Sequence, residues 1–151
     1  MRRFAAFAAL VSVGAAAWGA AGPAPAPATA VFAGGCFWST EIAFEKVYGV
    51  ISVVSGYTGG TSKRPTYGSY ASGGHVEAVQ VTYDAGRVSW AELLEVFWRS
   101  IDPVDGGGQF FDRGPHYRTV IYWKTDEERR AAEASKAALA RSGKFPKPIA
   151  T

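Results

Sequence analysis

Two strand–helix–strand patterns, separated by a glycine-rich segment, constrain the fold of this chain more than any other feature of its sequence. Apolar residues recur at strand spacing and at helix spacing in turn along the chain. The predicted elements are a strand over 31–35, a helix over 36–48, strands over 50–57 and 75–84, a helix over 90–101, a strand over 117–123 and a helix over 125–142. This order predicts an α+β fold, a ferredoxin-like βαββαβ sandwich with helices on one face of a mixed sheet and an additional C-terminal helix.

Capping patterns mark the start of the second and third predicted helices. The stretches SWAE (89–92) and TDEE (125–128) each match the capping box, in which a hydroxyl and a carboxylate satisfy free backbone N–H groups at the helix start. Asp102 and Pro103 end the second helix, and Gly143 ends the third. The closing residues, KFPKPIAT, follow neither spacing and predict an unstructured tail.

Two long loops interrupt the pattern, TGGTSKRPTYGSYASGG over 58–74 and DPVDGGGQFFDRGPH over 102–116. Loops longer than about 15 residues inside a compact domain are usually functional or disordered. We therefore expect binding or catalytic side chains on these two segments.

The first thirty residues have the layout of an export signal. Arg2 and Arg3 precede an alanine-rich apolar run to about Ala20, and small residues and prolines follow. The stretches GAA (19–21) and ATA (28–30) are candidate cleavage sites. We expect a periplasmic or secreted protein with one domain over 31–151; an uncleaved membrane anchor and a twin-arginine signal are the alternatives.

Charge and residue counts argue against a nucleic-acid partner and a metal centre. Removal of Arg2 and Arg3 with the signal lowers the formal net charge from +3 to +1, and no basic stripe suited to phosphates remains. His75 and His116, with a single cysteine, do not make up a set of metal ligands. We therefore expect neither a metal nor a bound cofactor.

Cys36 is the only cysteine of the chain and follows two glycines at the predicted start of a helix. Free N–H groups and the positive end of the helix dipole favour a thiolate there over a thiol. Gly34 and Gly35 allow a tight turn and leave room for a substrate to approach the sulfur. The position suits a nucleophile, and a buried structural cysteine is the alternative.

Glu77 is the candidate acid. It shares a face of its predicted strand with Val79 and Val81, and a carboxyl on an apolar face favours the protonated form. A protonated carboxyl can serve as a general acid. A salt bridge, for example to Arg118, is the alternative.

Aromatic and acidic side chains supply the remaining candidate binding groups. Phe37 and Trp38 would flank the sulfur, where two rings can enclose a methyl group, although core packing is the commoner role of aromatic residues. Tyr67, Asp112 and Tyr117 lie on or beside the long loops. Phenol hydroxyls there could donate hydrogen bonds to a substrate oxygen, and Asp112 could orient them.

Six motifs together resemble the type A methionine sulfoxide reductases. They are GCFWSTE (35–41), GYTGG (56–60), PTY (65–67), GHVEAV (74–79), FW (97–98) and DRGPHYR (112–118), in family order and at near-family spacing. The resemblance covers residues 31 to about 150. It implies a peptide-methionine (S)-S-oxide reductase that reduces methionine (S)-sulfoxide, free or in proteins, to methionine.

The resemblance also implies a role for each candidate residue. Cys36 would be the nucleophile that attacks the sulfoxide sulfur, and Glu77 the acid that protonates its oxygen. The residues implied to bind substrate are Phe37 and Trp38 around the S-methyl group, Tyr67 and Tyr117 at the oxygen, and Asp112 in support. Methionine would leave, and the cysteine would remain as a sulfenic acid.

The chain departs from the family pattern in ways that bear on recycling. No second cysteine is present, and Phe111 stands where some relatives carry one before DRG. Ser39 and His116 also differ from the usual residues, and the chain ends about forty residues short of a typical member. The resemblance then implies one of two things: a fragment whose resolving cysteine lies in a lost C-terminal segment, or a one-cysteine enzyme whose sulfenic acid is reduced by an external thioredoxin-like thiol. We expect the protein to be a monomer.

Two other functions remain open from the sequence. One is an exported lipoprotein or binding module with Cys36 as the lipid attachment site, since AGGC faintly resembles a lipobox, although Ala33 stands where leucine is usual. The other is a shortened chain that binds oxidised substrate and turns over poorly.

Overall fold

The computed structural model describes residues 26–151. The predicted export signal over 1–30 therefore lies almost entirely outside the described residues, as does the candidate cleavage site at 19–21. The other candidate site, 28–30, lies inside the first strand. Within the described range, no helix is long and apolar enough to cross a bilayer.

Six strands, three α-helices and one short 3-10 helix make up the described part of the chain. In chain order they are β1 (Ala28–Gly34), α1 (Phe37–Glu45), β2 (Val50–Thr58), β3 (Val76–Tyr83), α2 (Trp90–Ser100), β4 (Gly108–Gln109), β5 (Asp112–Arg113), the 3-10 helix (Pro115–Tyr117), β6 (Thr119–Tyr122) and α3 (Asp126–Arg141). The predicted α+β class and the order of the main elements are confirmed. The β4–β5 hairpin and the 3-10 helix lie in segments predicted as loop and strand.

The main sheet has the strand order β2-β3-β1-β6. All three pairings are antiparallel, so the prediction of a mixed sheet is wrong. The reason is that the two strand–helix–strand units interleave: β1 and β2 flank β3, while β3 and β6 flank β1. The two parallel strands of each unit are therefore separated by an antiparallel strand from the other unit.

The main core lies between one face of the sheet and helices α1 and α2. Phe32 of β1 is fully buried, and its ring stacks on Phe44 of α1 at 5.0 Å and on Phe97 of α2 at 5.3 Å. Burial of each such ring stabilises the fold by about 1.5–3 kcal/mol. The opposite face of the sheet buries a smaller apolar cluster that includes Ala33, Val76 and Ala78.

The helix that follows Cys36 is shorter than predicted at both ends. Cys36 is the residue that precedes α1, and the helix ends at Glu45. Beyond it, the N–H of Val47 donates to Phe44 O and that of Val50 to Val47 O, which are i to i+3 turns. Gly49, in the left-handed region at φ +95°, completes the turn into β2.

The predicted capping box of α2 is present in full. The Ser89 hydroxyl accepts from the N–H of Glu92 (3.2 Å), and the Glu92 carboxylate accepts from the N–H of Ser89 (2.7 Å). At α3 only half of the pattern forms: Thr125 accepts from the N–H of Glu128, but the Glu128 carboxylate accepts from Lys124 instead.

The C-terminal residues have no regular structure, but they are bound to the domain. The N–H of Ala150 donates to Pro103 O (2.8 Å), and the hydroxyls of Thr119 and Thr151 are 2.8 Å apart. The Ile149 side chain is buried. As predicted, the tail has no helix or strand, but hydrogen bonds to Pro103 and Thr119 and the burial of Ile149 hold it against the domain.

The glycine-rich segment between β2 and β3 is closed by the buried His75. Its Nδ1 accepts from the N–H of Gly60 (3.2 Å), which leaves Nε2 to donate to the carbonyl of Ser62 (3.0 Å). The N–H of Thr61 donates to Gly73 O across the same loop (3.0 Å). These bonds bring the two ends of the loop together and hold the loop beside the first residue of β3, Val76.

We expect Gly35→Ala to destabilise the domain by about 3 kcal/mol, because two costs add at this position. Gly35 has φ +92°, and an added Cβ would lie 2.5 Å from Cβ of Gln109, which is close to the backbone and has little freedom to move. Gly68→Ala is the matched control. Nothing lies within 4 Å of an added Cβ there, so its free energy of unfolding should change by less than about 0.5 kcal/mol. Urea unfolding of both variants measures the difference, and equal values would contradict the predicted clash.

Candidate active site

The site is centred on the peptide group that joins Cys36 to Phe37. The N–H of Phe37 donates a hydrogen bond of 2.9 Å to Oε2 of Glu77. Glu77 is only 2% exposed, on the core-facing side of β3, so its carboxyl reaches α1 from beneath. The predicted nucleophile and the predicted acid, which are forty-one positions apart in the chain, are therefore neighbours.

Cys36 lies at the junction where β1 turns into α1. Its carbonyl accepts from the N–H of Thr40 (3.2 Å) and from the Thr40 hydroxyl (3.1 Å), which fixes the first turn of the helix. The cysteine is half-buried and free. Gly35 places the backbone directly against Gln109, so the turn closes tightly beside the sulfur-bearing residue.

The second oxygen of Glu77 is bound by Tyr70, a residue that the sequence did not single out. The Tyr70 hydroxyl donates to Oε1 at 2.8 Å, and its side chain is buried. Burial, the hydrogen bond to Glu77 and the hydroxyl of Tyr117 together raise the pKa of Tyr70. Tyr70 is therefore a protonated phenol, and a hydrogen-bond donor, throughout the physiological range.

Tyr117 reaches the same cluster from the 3-10 helix. The neighbouring Tyr70 hydroxyl lowers the pKa of Tyr117, while burial and the nearby carboxyl groups of Glu77 and Asp112 raise it, and the net shift is upward. Asp112, half-buried in β5, acts on this cluster through its charge. Tyr117 is thus close to Glu77, and the predicted binding roles of Tyr117 and Asp112 stay predictions.

Tyr67 lies at the exposed edge of the aromatic cluster that contains Tyr70, with the two ring centroids 6.2 Å apart. Its side chain is 63% exposed, and its ring stacks on Trp38 with centroids 6.4 Å apart and an interplanar angle of 14°. The predicted role of Tyr67, donation to a substrate oxygen, stays a prediction, and the phenol that is bonded to Glu77 itself is Tyr70. The physical reason is that residues 66–70 form a turn, with the N–H of Tyr70 bonded to Thr66 O, which directs the later tyrosine inward.

Phe37 and Trp38 have different surroundings, although the sequence treated them as a pair. Their ring centroids are 5.7 Å apart. Phe37 is buried and packs on Tyr57 at 5.7 Å, whereas Trp38 is 61% exposed. Phe37 is therefore a buried side of the site beside Cys36, and Trp38 lies at the exposed edge of the site.

Tyr57 is a second aromatic residue that sequence reasoning missed. It is paired opposite Glu77 across β2 and β3, and its ring stacks on Tyr70 at 4.5 Å. Burial, and then the charge of Glu77, raises its pKa. The signal for Tyr57 was its position on a strand next to the GG turn, but only the register of the two strands could identify it as a neighbour of Glu77.

Arg118, His75 and His116 each have partners other than Glu77 in the structure. Arg118, suggested as an ion-pair partner of Glu77, donates to Pro115 O. Within the described residues, no group of three or more His, Cys, Asp and Glu side chains is arranged to hold a metal ion. His75 is used in the loop described above, and His116 stands edge-on to the Tyr70 ring at 5.6 Å.

The peptide methionine sulfoxide reductase family model matches residues 28–151. The chain belongs to this family. The family assignment made from the motifs, and with it the oxidoreductase class of that family, is confirmed.

Individual relatives agree with the assignment. The chain is 53% identical over 125 residues to a peptide methionine sulfoxide reductase MsrA of Ligilactobacillus salivarius, covering 82% of this chain and 73% of the relative. It is 51% identical to an MsrA of Halalkalibacterium halodurans, covering 70% of that relative. Methionine sulfoxide reductase A of Corynebacterium diphtheriae is similar in structure, with a TM-score of 0.69 at 29% sequence identity. The superposition covers 83% of this chain and 64% of the Corynebacterium diphtheriae protein. Mxr1 of Saccharomyces cerevisiae in its reduced form gives a TM-score of 0.73 at 25% identity, covering 83% and 74%.

The lipoprotein alternative finds no support in the fold. Processing at Cys36 would remove β1, which is paired with β3 on one side and with β6 on the other. The sheet would lose an inner strand and the fully buried Phe32. A folded domain of this kind therefore requires the residues that precede Cys36.

We expect Tyr70→Phe to lower the free energy of unfolding at neutral pH by about 1–2 kcal/mol, because it leaves buried Oε1 of Glu77 without its donor.

The pH dependence of the free energy of unfolding should also change in Tyr70→Phe. Because the folded state raises the pKa of Tyr70 above its ordinary value of 10.0, the stability linked to this phenol is complete below that value and is lost as pH rises beyond it. Tyr70→Phe should therefore flatten the decline in stability above about pH 10.

Tyr67→Phe is the matched control, since the Tyr67 side chain is mostly exposed. Its stability at neutral pH should stay within about 0.5 kcal/mol of the parent protein. Denaturant unfolding as a function of pH measures both variants. A larger loss for Tyr67→Phe than for Tyr70→Phe would contradict the placement of the two phenols.

Proposed function

We propose that this protein reduces methionine (S)-sulfoxide, free or in polypeptides, to methionine by a thiol-dependent reaction at Cys36. The observation that carries the proposal is the hydrogen bond between the N–H of Phe37 and the buried Glu77 carboxyl, which places a carboxyl group next to the residue with the sulfur. Family membership supports the same chemistry.

The proposed reaction balances with one thiol and one acid. The Cys36 sulfur attacks the sulfoxide sulfur while Glu77 gives a proton to the sulfoxide oxygen, which is a poor leaving group unless protonated. The oxygen leaves as water with the thiol proton and the proton of Glu77, so that the S–O bond breaks and Cys36 is joined to the substrate sulfur as a sulfonium. Water then attacks the Cys36 sulfur and returns one proton to Glu77. The S–S bond breaks with methionine as the leaving group, and Cys36 remains as a sulfenic acid. The sulfoxide is reduced by two electrons and the cysteine is oxidised by two.

We assign the binding of the oxygen to Tyr70 and Tyr117 rather than to Tyr67. Both residues belong to the buried cluster around Glu77, and both have raised pKa values that keep them protonated as donors. Phe37 and Trp38 are assigned to the S-methyl group on the other side of the sulfur. Tyr67, stacked on Trp38, would extend that aromatic wall outward.

Recycling of the enzyme requires an external reductant. Cys36 is the only cysteine of residues 1–151, so its sulfenic acid has no thiol partner among them. We propose that a thioredoxin-like dithiol supplies two electrons, leaving water, a disulfide on the reductant and the free thiol of Cys36. No bound cofactor takes part in this scheme, and the protein is proposed to act as a monomer.

We also propose export to the periplasm or beyond, with cleavage at 19–21 rather than at 28–30. Residues Ala28, Thr29 and Ala30 pair with β3 in the central part of the sheet, and Ala30 is buried. Removal of these three residues would shorten an inner strand. Cleavage at 19–21 leaves β1 whole.

The strand order and the two interleaved strand–helix–strand units support a finer description of the fold. We infer that β1, α1, β2, β3, α2 and β6 form the ferredoxin-like βαββαβ arrangement. The remaining helix, α3, is then the additional C-terminal element.

Cys36→Ser should abolish methionine formation in a single-turnover assay without reductant, where the parent protein should form about one methionine per enzyme. Glu77→Gln should slow the same step by about a hundredfold or more, the usual contribution of a general acid. Glu127→Gln is the matched control, because that carboxylate is exposed on α3 and pairs with Arg130. The assay is chromatography of methionine formed from the separated S and R sulfoxides.

An unchanged rate for Cys36→Ser or Glu77→Gln would contradict the mechanism. The absence of any methionine from the parent protein would instead favour a chain that binds substrate and lacks turnover. Equal use of the two epimers would contradict the assigned stereochemistry.

The mature protein isolated after export should begin at Gly22, as measured by mass spectrometry of the intact chain. A start at Val31 would contradict the argument from β1. A start at Cys36 with acyl groups attached would establish the lipoprotein alternative.

A further inference from the structure

We propose that the two phenylalanines at the tip of the β4–β5 hairpin, Phe110 and Phe111, bind apolar residues that flank an oxidised methionine in a polypeptide substrate. This inference rests on the proposed function and concerns the substrate class of the same site. The pairing of Gln109 with Asp112 leaves Phe110 and Phe111 as a two-residue turn. Their side chains are 66% and 99% exposed.

The fold itself gains little from these two rings. Two-residue hairpin turns favour Asn, Asp and Gly, because at least one position has positive φ. Phe110 has φ +52°, a conformation that is costly for a bulky side chain. Phe111 is almost completely exposed, so its ring contributes no packing. Two exposed phenylalanines in a strained turn indicate a contact with another molecule.

The turn is held close to the catalytic cysteine on one side. Gln109, which precedes the tip, is buried against Gly35, the residue before Cys36. The Gln109 amide is fixed by bonds to the N–H of Asp102 (2.8 Å) and to its carbonyl (2.9 Å). Consecutive Cα atoms are about 3.8 Å apart, so the tip begins one residue from this contact.

The residues that follow Phe111 also hold the hairpin close to the active site. Asp112 and Arg113, which follow the tip, lead through Gly114 into the 3-10 helix that carries Tyr117, a residue of the cluster around Glu77. The N–H of Gly114 also donates to Gly107 O (2.9 Å), which closes the base of the hairpin. The aromatic tip therefore stands between two segments that both contribute to the active site.

The surroundings of the tip favour an uncharged partner. Arg113, the nearest cation in the hairpin, is bound by both oxygens of Asp105, with contacts of 2.5 Å and 3.1 Å. Its charge is thus neutralised within the protein. The exposed rings are left to make apolar contacts rather than to attract an acidic surface.

A polypeptide segment fits this surface better than the free amino acid. Methionine lies mostly among apolar residues, and its oxidation introduces a polar group that disrupts such packing and exposes the neighbouring side chains. Successive residues of an extended chain are about 3.3–3.6 Å apart, so residues one to three positions from the sulfoxide would reach the hairpin tip. Free methionine sulfoxide has no such residues.

The test compares three substrates in single-turnover reactions without reductant: free methionine (S)-sulfoxide, a peptide with leucine on both sides of the sulfoxide, and the same peptide with serine there. The variant is Phe111→Ser, because a side chain that is 99% exposed can be replaced without loss of packing. We expect the preference for the leucine-flanked peptide over the free amino acid to fall about fivefold, and Phe111→Leu to restore most of it. Phe110→Gly/Phe111→Ser, which relieves the positive φ, should reduce the preference further.

Tyr48→Ser is the matched control, since Tyr48 is also exposed but follows the opposite end of α1 from Cys36. It should leave the preference unchanged. An unchanged preference in Phe111→Ser, or equal losses for the leucine-flanked and serine-flanked peptides, would overturn the inference while the proposed function stands. A loss of rate in Phe111→Ser that is seen only in steady state with a protein reductant would assign the tip to binding of the reductant. A dimer of the parent protein that dissociates in Phe111→Ser would assign the tip to self-association. Either result overturns the inference. If the parent protein reduces none of the three substrates, the proposed function itself fails.

Discussion

The hydrogen bond from the N–H of Phe37 to the Glu77 carboxyl is the interaction on which the site depends. It joins the start of α1 to β3 at the point where the chain carries its only cysteine. A buried carboxyl is stable only when its oxygens have partners, and here the backbone of Phe37 and the hydroxyl of Tyr70 provide one each. The same two bonds that satisfy the acid also place it beside the nucleophile, so folding and the assembly of the site are one event.

Glycine and histidine set the geometry around that bond. Gly35 allows the backbone to turn sharply against Gln109, and this contact anchors the hairpin on one side of Cys36. His75, two residues before Glu77, closes the glycine-rich loop by bonds to Gly60 and Ser62. That closure carries Tyr70 inward over the acid. This segment, which the sequence predicts to carry functional side chains, therefore supports the site through its own hydrogen bonds.

The order of strands and helices, the capping box at Ser89 and the stop of the second helix could be predicted from the sequence, because they depend on spacing and local hydrogen bonds. The antiparallel sheet could not, since local patterns do not say which strands become neighbours. For the same reason, the sequence pointed to Tyr67 rather than Tyr70 as a candidate phenol of the site. Both lie in one short stretch, and a single backbone turn at Thr66 decides which phenol points inward.

The sequence by itself determined the family, the cysteine that follows a glycine turn, and the strand that bears Glu77, because each of these is encoded in a contiguous motif. Only the tertiary structure decided which side chains surround the carboxyl and which stand at the rim. The register of β2 against β3 puts Tyr57 opposite Glu77, and the hairpin exposes Phe110 and Phe111 beside the site. Such contacts join residues that are distant in the chain, and their positions follow from packing and strand register.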